Sequence, residues 1–260
     1  MSVLAAVRQL VDDERLGATA TCVDGPATGL RAVIDAETGI VAGSLPDEIR
    51  VDVLADAAGL MTNEQSRTLT YGDHRVFIAT VAPAPVLVIF GAGHASQPLA
   101  AFAMALGYRV VVVDARSQWA TPERFPDVDE LIVGWPDAYF DHAQFDGRTY
   151  VAIMNHDARF EAPVFPRLEG SPVRYIGAMG SRRTHRTRVE RLRSEGWDDD
   201  EIGRIHSPIG LDIGAETPEE MAISIVAEMT RVRYGHGSGL SLRGTEGRIH
   251  AQRGEEPGTA

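Results

Sequence analysis

VLVIFGAGHASQPLAAFAMALGYRVVVVDARSQ, residues 86–118, decides the fold. The run VLVIF leads into Gly91-Ala92-Gly93, a helical pattern covers 95–106, and RVVVVD ends at Asp114. Strand, glycine turn, helix, strand and acid, in that order, open a nucleotide-type βαβ unit. Gly91 allows the tight turn and Gly93 lets the backbone approach a phosphate. Asp114 lies 21 residues after Gly93, where a carboxylate meets ribose hydroxyls. In that role it favours NAD over NADP, because it repels a 2′-phosphate, although the nearby Arg116 works against this. Two features depart from the fingerprint: Ser96 stands at the third glycine, and His94 directly follows the second. His94 either contacts a ligand or caps its helix.

Outward from this unit, ELIVGW, YVAIMN and VRYIGA alternate with helical patterns. Such apolar runs between helices predict a parallel sheet covered on both faces. The expected class is α/β: a Rossmann-like doubly wound parallel sheet over 86–235, preceded by a small α+β N-terminal domain over 1–82. Ala82-Pro83-Ala84-Pro85 separates the two, since two prolines in four residues disfavour helix and central strand. Thr217, Pro218 and Glu220 give the closing helix, about 217–233, an N-cap, a first residue and a capping-box partner.

In the N-terminal unit, residues 2–13 read as a helix with Val3, Val7, Leu10 and Val11 on one face. ATATCV and LRAVIDAETGIVAGSL read as strands, Ser44 and Pro46 as a helix start, and SRTLTYGDHRVFIATVAP as a hairpin turning at Gly72-Asp73. Residues 236–260 are polar and glycine-rich and read as a disordered tail.

Composition narrows the functions. The net charge of −12 argues against nucleic-acid binding. No apolar run approaches the roughly 18 residues of a membrane span, and the N-terminus lacks a signal-peptide pattern, so a cytoplasmic protein is expected. A lone Cys22 excludes an internal disulfide and multi-cysteine metal sites, and reads as a small buried residue. All 25 basic residues are arginine, which removes Schiff-base catalysis and the P-loop lysine. Phosphate must be held by arginine, backbone amides or helix N-termini.

Three more stretches carry candidate residues. In RYIGAMGSRRTHRTRVERLRSEG, Gly180 frames a turn, Ser181 opens a helix, and six arginines fall within residues 182–193. Gly180, Ser181, Arg182 and Arg183 at the helix start favour an anion. The later arginines read as a solvated face, with Val189 and Leu192 turned inward. In IHSPIGLDIGAETPEE, Pro208, Gly210 and Gly214 suit either a close backbone approach to a ligand or a loop that turns twice. In MNHDARFE, Asn155, His156 and Asp157 sit at a strand's carboxyl end, where ligands of open parallel sheets lie. The His-Asp pair either binds metal or moves protons, or is an ordinary loop pair; one histidine and one carboxylate do not make a metal site. No catalytic nucleophile motif stands out.

GAGH (91–94), TPERFPD (121–127), His156-Asp157, YIGAMGSRR (175–183) and RIHSPIGLDIGAETPEEMAISIVAE (204–228), in this order, resemble the XdhC/CoxI family of xanthine dehydrogenase accessory proteins. The resemblance implies a protein that binds molybdenum cofactor, as molybdopterin or its dinucleotide form, protects it while sulfur is added, and delivers it to an apo molybdenum hydroxylase. A cysteine desulfurase and a second copy in a homodimer are further implied partners. On this reading the phosphate tail rests on the helix starts after Gly93 and Gly180 with Arg182 or Arg183, and the pterin lies near His94 and His156. Two segments depart from the family. A Gly-Gly-Cys-Val-Glu-like stretch reads GSLPDEIRVD (43–52) without cysteine, and a Thr-His-Asp-His-x-x-Asp-like pattern reads NHDARFE (155–161).

Three functions follow as alternatives: a cofactor-binding accessory protein acting as a chaperone rather than an enzyme, an NAD(P)-dependent oxidoreductase, and a nucleotide-sensing scaffold. The first places its cofactor at the carboxyl ends of the sheet, the second rests on the Gly-x-Gly turn and Asp114, and in the third the N-terminal unit or the arginine helix meets a partner.

Overall fold

The computed structural model describes residues 1–141, 143, 145–155, 157–235 and 237–244. Its N-terminal part is a five-stranded antiparallel sheet, with strands β1 (Gly17–Asp24), β2 (Arg31–Asp35), β3 (Gly39–Gly43), β4 (Arg67–Tyr71) and β5 (His74–Val81) in the order β3-β2-β1-β5-β4. Helix α1 (Val3–Asp12) seats Ala6 and Leu10 on Val33 and Ala42. Val11 faces solvent instead, so the apolar stripe centres on Ala6 and Leu10. Helix α2 (Asp47–Thr62) covers the other face with Ile49, Val53, Ala57 and Leu60. Its N-cap position is Pro46, without a side-chain cap, while Ser44 is held by its amide on the Arg31 carbonyl. The expected serine cap is therefore not used. Cys22 is fully buried in this core.

From residue 86 the chain builds a six-stranded parallel sheet: β6 (Val86–Phe90), β7 (Arg109–Asp114), β8 (Glu130–Val133), β9 (Thr149–Ile153), β10 (Tyr175–Ala178) and β11 (Ile205–His206). The order β11-β10-β9-β6-β7-β8 reverses direction between β6 and β9. This is the mixed α/β, Rossmann-like arrangement that the alternating runs predict. The two-residue β11 was not legible as a strand.

Alternation along each strand feeds two cores. Leu87, Ile89, Val110, Val112, Tyr150 and Ala152 face α3 (Ser96–Ala105) and the long C-terminal helix (Pro218–Tyr234). Val88, Phe90, Val111, Val113, Val151 and Ile153 face the other side. That side carries α4 (Asp137–Phe140), α5 (Ala158–Glu161), α6 (Phe165–Leu168), α7 (Arg182–Ser194) and α8 (Asp199–Gly203); the C-terminal helix is thus α9. Leu99, Ala100 and Ala103 of α3 pack in one core with Ala222, Ile225 and Met229 of α9. Thr217 and Glu220 form the expected capping box at the start of α9.

Polar bonds tie the two parts together. Arg109 bridges to Glu14 at 3.0 Å, Arg233 to Glu64 at 2.6 Å, and Arg174 donates to the Thr62 carbonyl at 2.8 Å. Among the described residues no helix is long and apolar enough to cross a membrane. Of the expected tail, 237–244 are described and include a short 3-10 turn at Leu242–Gly244; Gly237 to Gly244 are exposed. The rest of that tail lies outside the described residues.

Candidate ligand cleft

The glycine turn after β6 is built to show its amides. Gly91 has φ +115°, and a Cβ there would meet the Met154 carbonyl carbon at 2.9 Å, so the turn lies directly on the end of β9. Gly91 N donates to Val113 O at 2.8 Å and Ala92 N to Asp114 Oδ2 at 2.7 Å. The carbonyls are tied back. Ser96 Oγ donates to Gly91 O at 2.6 Å, and Arg124 Nη1 donates to Ala92 O at 2.9 Å and Trp119 O at 2.8 Å. Arg124 Nη2 completes the clasp on Gln97 Oε1 at 2.9 Å. Ser96 thus replaces the third glycine with a buried strut. The amides of Gly93, His94 and Ala95 find no acceptor among the described residues, which leaves three adjacent donors for an anion.

These amides open into a cleft of about 520 Å³ lined by Gly93, His94, Ala95, Ser96, Arg116, Trp119, Met154, Asn155, Met179, Gly180, Pro218 and Met221. It sits at the carboxyl ends of β6 and β9, where the strand order reverses and open sheets bind ligands. The Trp119 ring has the Arg116 guanidinium at 5.1 Å and that of Arg124 at 4.7 Å, with the His94 ring edge-on at 5.0 Å. Cationic and methionine side chains surround an aromatic plate, and no carboxylate lines the cleft among the described residues. A mostly apolar cleft with a few convergent donors is the usual form of a small-molecule site.

Of the residues expected at a site, Gly93, His94, Asn155 and Gly180 line this cleft, with Gly91 beneath it. Asn155 Oδ1 also accepts from Asp157 N at 3.0 Å. Asp114 takes a different position from the ribose reader expected of it. It is fully buried, and Ala92 N, Arg116 N, Arg116 Nε and Arg116 Nη2 occupy its two oxygens. Burial pushes its carboxyl up, but the Arg116 and Ala92 bonds outweigh this and hold it below the ordinary range. Ser181 caps α7 by accepting from Thr184 N at 3.1 Å, and Arg182 and Arg183 are exposed beside Gly180 with no acidic partner among the described residues. Pro208, Gly210 and Gly214 lie off the cleft lining. Gly210 has φ +97°, its amide donates to Glu228 at 2.9 Å, and a Cβ there would fall on the Ser224 hydroxyl, so it serves packing against α9. Gly214 has φ +74° in an exposed turn. His156 lies outside the described residues; its neighbour Asp157 is engaged by Arg159 at 2.7 Å.

Sequence reading noted Arg116 only as a neighbour of Asp114, and missed Trp119 and the three methionines as cleft residues and Arg124 as the clasp over Trp119. Arg124 had a signal, since it lies within the quoted TPERFPD segment. It also missed a strut behind the cleft wall. Arg188, expected on a solvated face, is buried: it donates to Glu161 Oε1 at 2.6 Å, Ser207 Oγ at 2.7 Å and Met179 O at 3.0 Å. A second buried carboxylate, Glu228, accepts from Tyr175 at 2.6 Å and lies 3.2 Å from His206 Nδ1. Burial raises its pKa, but the bonds from His206, Tyr175 and Gly210 lower it further, to a net value below the usual one.

Comparison with known proteins decides the family. The family model described as the XdhC Rossmann domain matches residues 87–229, more than half of the chain. The chain belongs to the XdhC family. It is 35% identical over 158 residues to a Bacillus subtilis (strain 168) protein whose name makes it a probable component of xanthine dehydrogenase, covering 61% of this chain and 46% of that one. It is 30% identical over 151 residues to the Escherichia coli (strain K12) molybdenum cofactor insertion chaperone PaoD, covering 58% and 41%. The chain thus spans less than half the length of these relatives. A crystal structure titled as a xanthine dehydrogenase from Bacillus halodurans shares the fold, with a TM-score of 0.52 at 21% identity over 89% of this chain and 94% of that one. The resemblance drawn from the motifs and the Rossmann-like class are both correct at the level of the family.

Proposed function

We propose that this XdhC-family chain binds a molybdenum cofactor in the Gly93–Trp119–Met179 cleft and helps deliver it to a molybdenum hydroxylase. The observation that carries the proposal is the cleft's donor set: Arg116 and three amides without an acceptor among the described residues, around an aromatic and thioether wall with no carboxylate among those residues, in a chain of charge −12. A pterin with a phosphate tail fits this set. The flat ring suits Trp119 and the methionines, and the phosphate suits the amides of Gly93–Ala95 with Arg182 and Arg183 nearby. The name of PaoD supports the same cargo. The single thiol, Cys22, is buried in the other sheet, so no cysteine of this chain meets the cargo in the cleft. The partners on this reading are the apo-hydroxylase and a sulfur-donating desulfurase, met in the cytoplasm.

An oxidoreductase using NAD is less well supported by the cleft, because Asp114 does not reach it. Anaerobic calorimetry decides between these readings. Molybdopterin, its cytidine and guanine dinucleotide forms, NAD and NADP are titrated into one preparation. Micromolar or tighter binding of a pterin ligand, together with activation of an apo-hydroxylase, is expected. Inert pterins with tight NAD binding would discard the accessory reading.

A further inference from the structure

Arg116 and the glycine turn share one oxygen. Asp114 Oδ2 accepts from Ala92 N and from Arg116 Nη2, each at 2.7 Å. The guanidinium is therefore parked beside the turn whose next three amides have no acceptor among the described residues. Asp114 itself is sealed, with both oxygens engaged and no exposed surface. A ribose diol at the end of β7 needs an accessible acceptor, and this carboxylate is not one. Arg116 faces the cleft in its place: its side chain is 44% exposed, and its Nη1 has no partner among the described residues.

We infer that Arg116, held by Asp114, determines specificity in this cleft, which takes ligands ending in a phosphomonoester in preference to the same ligands presenting a ribose diol. The inference rests on the reading of the cleft as the binding site. A phosphomonoester carries about −1.5 to −2 charge at pH 7 and three acceptor oxygens. A guanidinium fork with adjacent amides matches that group, whereas a neutral diol gains nothing from a cation. Two ligands share the chemistry: molybdopterin, whose tail ends in a phosphomonoester, and a 2′-phosphorylated adenine dinucleotide. The preference for NAD over NADP expected from Asp114 is thereby reversed.

Calorimetry on the full chain with two matched pairs tests this: NADP against NAD, and molybdopterin against its cytidine dinucleotide form. The phosphomonoester member should bind about tenfold or more tightly, as one charge-assisted bond implies. Arg116→Gln should bring the members of a pair within about twofold by weakening only the phosphomonoester, and Arg116→Lys should recover part of the difference. The wild-type preference should also shrink as the pH falls below about 6, where the monoester becomes a monoanion. His94 lines the same cleft and Asp157 acts on the Arg116 charge, so the pH readout tests the monoester preference itself, and Arg116→Lys carries the assignment to Arg116 if Arg116→Gln fails to fold. Equal affinities within the pterin pair, or a preference there that survives in Arg116→Gln, overturn the inference and leave the cofactor reading standing; equal affinities of NAD and NADP with inert pterins overturn both. NADP preference with inert pterins upholds the inference and overturns that reading. No binding by either pair overturns both.

Discussion

Two arginines in this fold each clasp a carboxylate with paired bonds, and they do opposite things. Arg188 and Glu161 are 2% and 7% exposed, and two more guanidinium hydrogens go to Ser207 and Met179. Arg116 and Asp114 are 44% and 0% exposed, and the guanidinium looks into the cleft. Where both ends are sealed, the pair joins α5, α7 and the Ser207 turn behind the cleft wall. Where only the anion is sealed, the cation is oriented toward the cleft, its Nη1 without a hydrogen-bond partner among the described residues and Asp157 near enough to act on its charge. Residue type is the same in each, and burial decides the role.

The sharpest way to break this contrast is to remove each cation. Arg188→Met leaves Glu161 buried without its main partner, and should cost about 3–5 kcal/mol in denaturant unfolding. Adding Glu161→Leu should return most of that loss, since an apolar pair of similar volume is tolerated. Recovery absent from the double variant would mean that Arg188 acts through Ser207 and Met179 rather than through the ion pair. Arg116→Gln should cost only about 1–2 kcal/mol, because the guanidinium is half hydrated and Asp114 keeps the Ala92 amide.

Arg182 and Arg183 extend the contrast to cations with no protein partner at all among the described residues. The double alanine variant should melt within about 0.5 kcal/mol of the parent, as exposed substitutions do. Its affinity for the phosphate-bearing ligand should fall by about 1.5–3 kcal/mol per lost charged hydrogen bond. Unchanged affinity in calorimetry would place the phosphate wholly on the Gly93–Ala95 amides and Arg116.

The glycines divide in the same manner. Gly93 borders the cleft, and a Cβ there meets only the Met154 carbonyl oxygen, at 3.9 Å. Gly210 has φ +97° and is pressed onto Ser224. Gly210→Ala should therefore destabilise by about 1–3 kcal/mol through backbone strain while leaving ligand affinity alone. Gly93→Ala should do the reverse, folding normally and losing affinity. Melting temperatures and titrations on both variants separate the two roles.

These pairs also show what the residues alone could reveal. The parallel sheet, its strands, the glycine turn and the capped ends of α7 and α9 were legible because each rests on local periodicity or on a cap within four residues. Residues 91–94, 155 and 180 could be nominated because a parallel sheet puts strand ends on one side. The errors come from contacts between segments far apart in sequence. Arg188 looks like its five neighbours until Glu161, 27 residues upstream, supplies its partner. Gly210 looks like Gly93 until α9 covers it. Asp114 stands where a ribose reader belongs, yet Ala92 and Arg116 claim both oxygens. The missing third glycine has the same origin, since Ser96 Oγ reaches back to Gly91 O.

The smallest expected effect is an acid one, and it tests whether Arg116 and Asp114 act as a unit. Burial alone would raise the Asp114 pKa; the bonds from Arg116 and Ala92 reverse this and place the folded value below the ordinary one. A folded value below the unfolded value, near 4, means that ionised Asp114 adds stability in full above about pH 4. That contribution is lost as the pH falls through the folded value. Thermal melts of the parent should therefore steepen in their decline below about pH 4. Asp114→Asn should flatten part of that decline, and Arg116→Gln should flatten it too, because its guanidinium bonds are the largest opposing influence. Glu228, Asp35 and Asp146, also lowered, keep contributing in both variants and are among the groups that set the slope that remains. Flattening in Asp114→Asn without flattening in Arg116→Gln would assign the lowered pKa to the Ala92 amide. Arg116 would then be less firmly held beside the glycine turn than the bond lengths indicate, and its reading of the ligand would have to come from the cleft side alone.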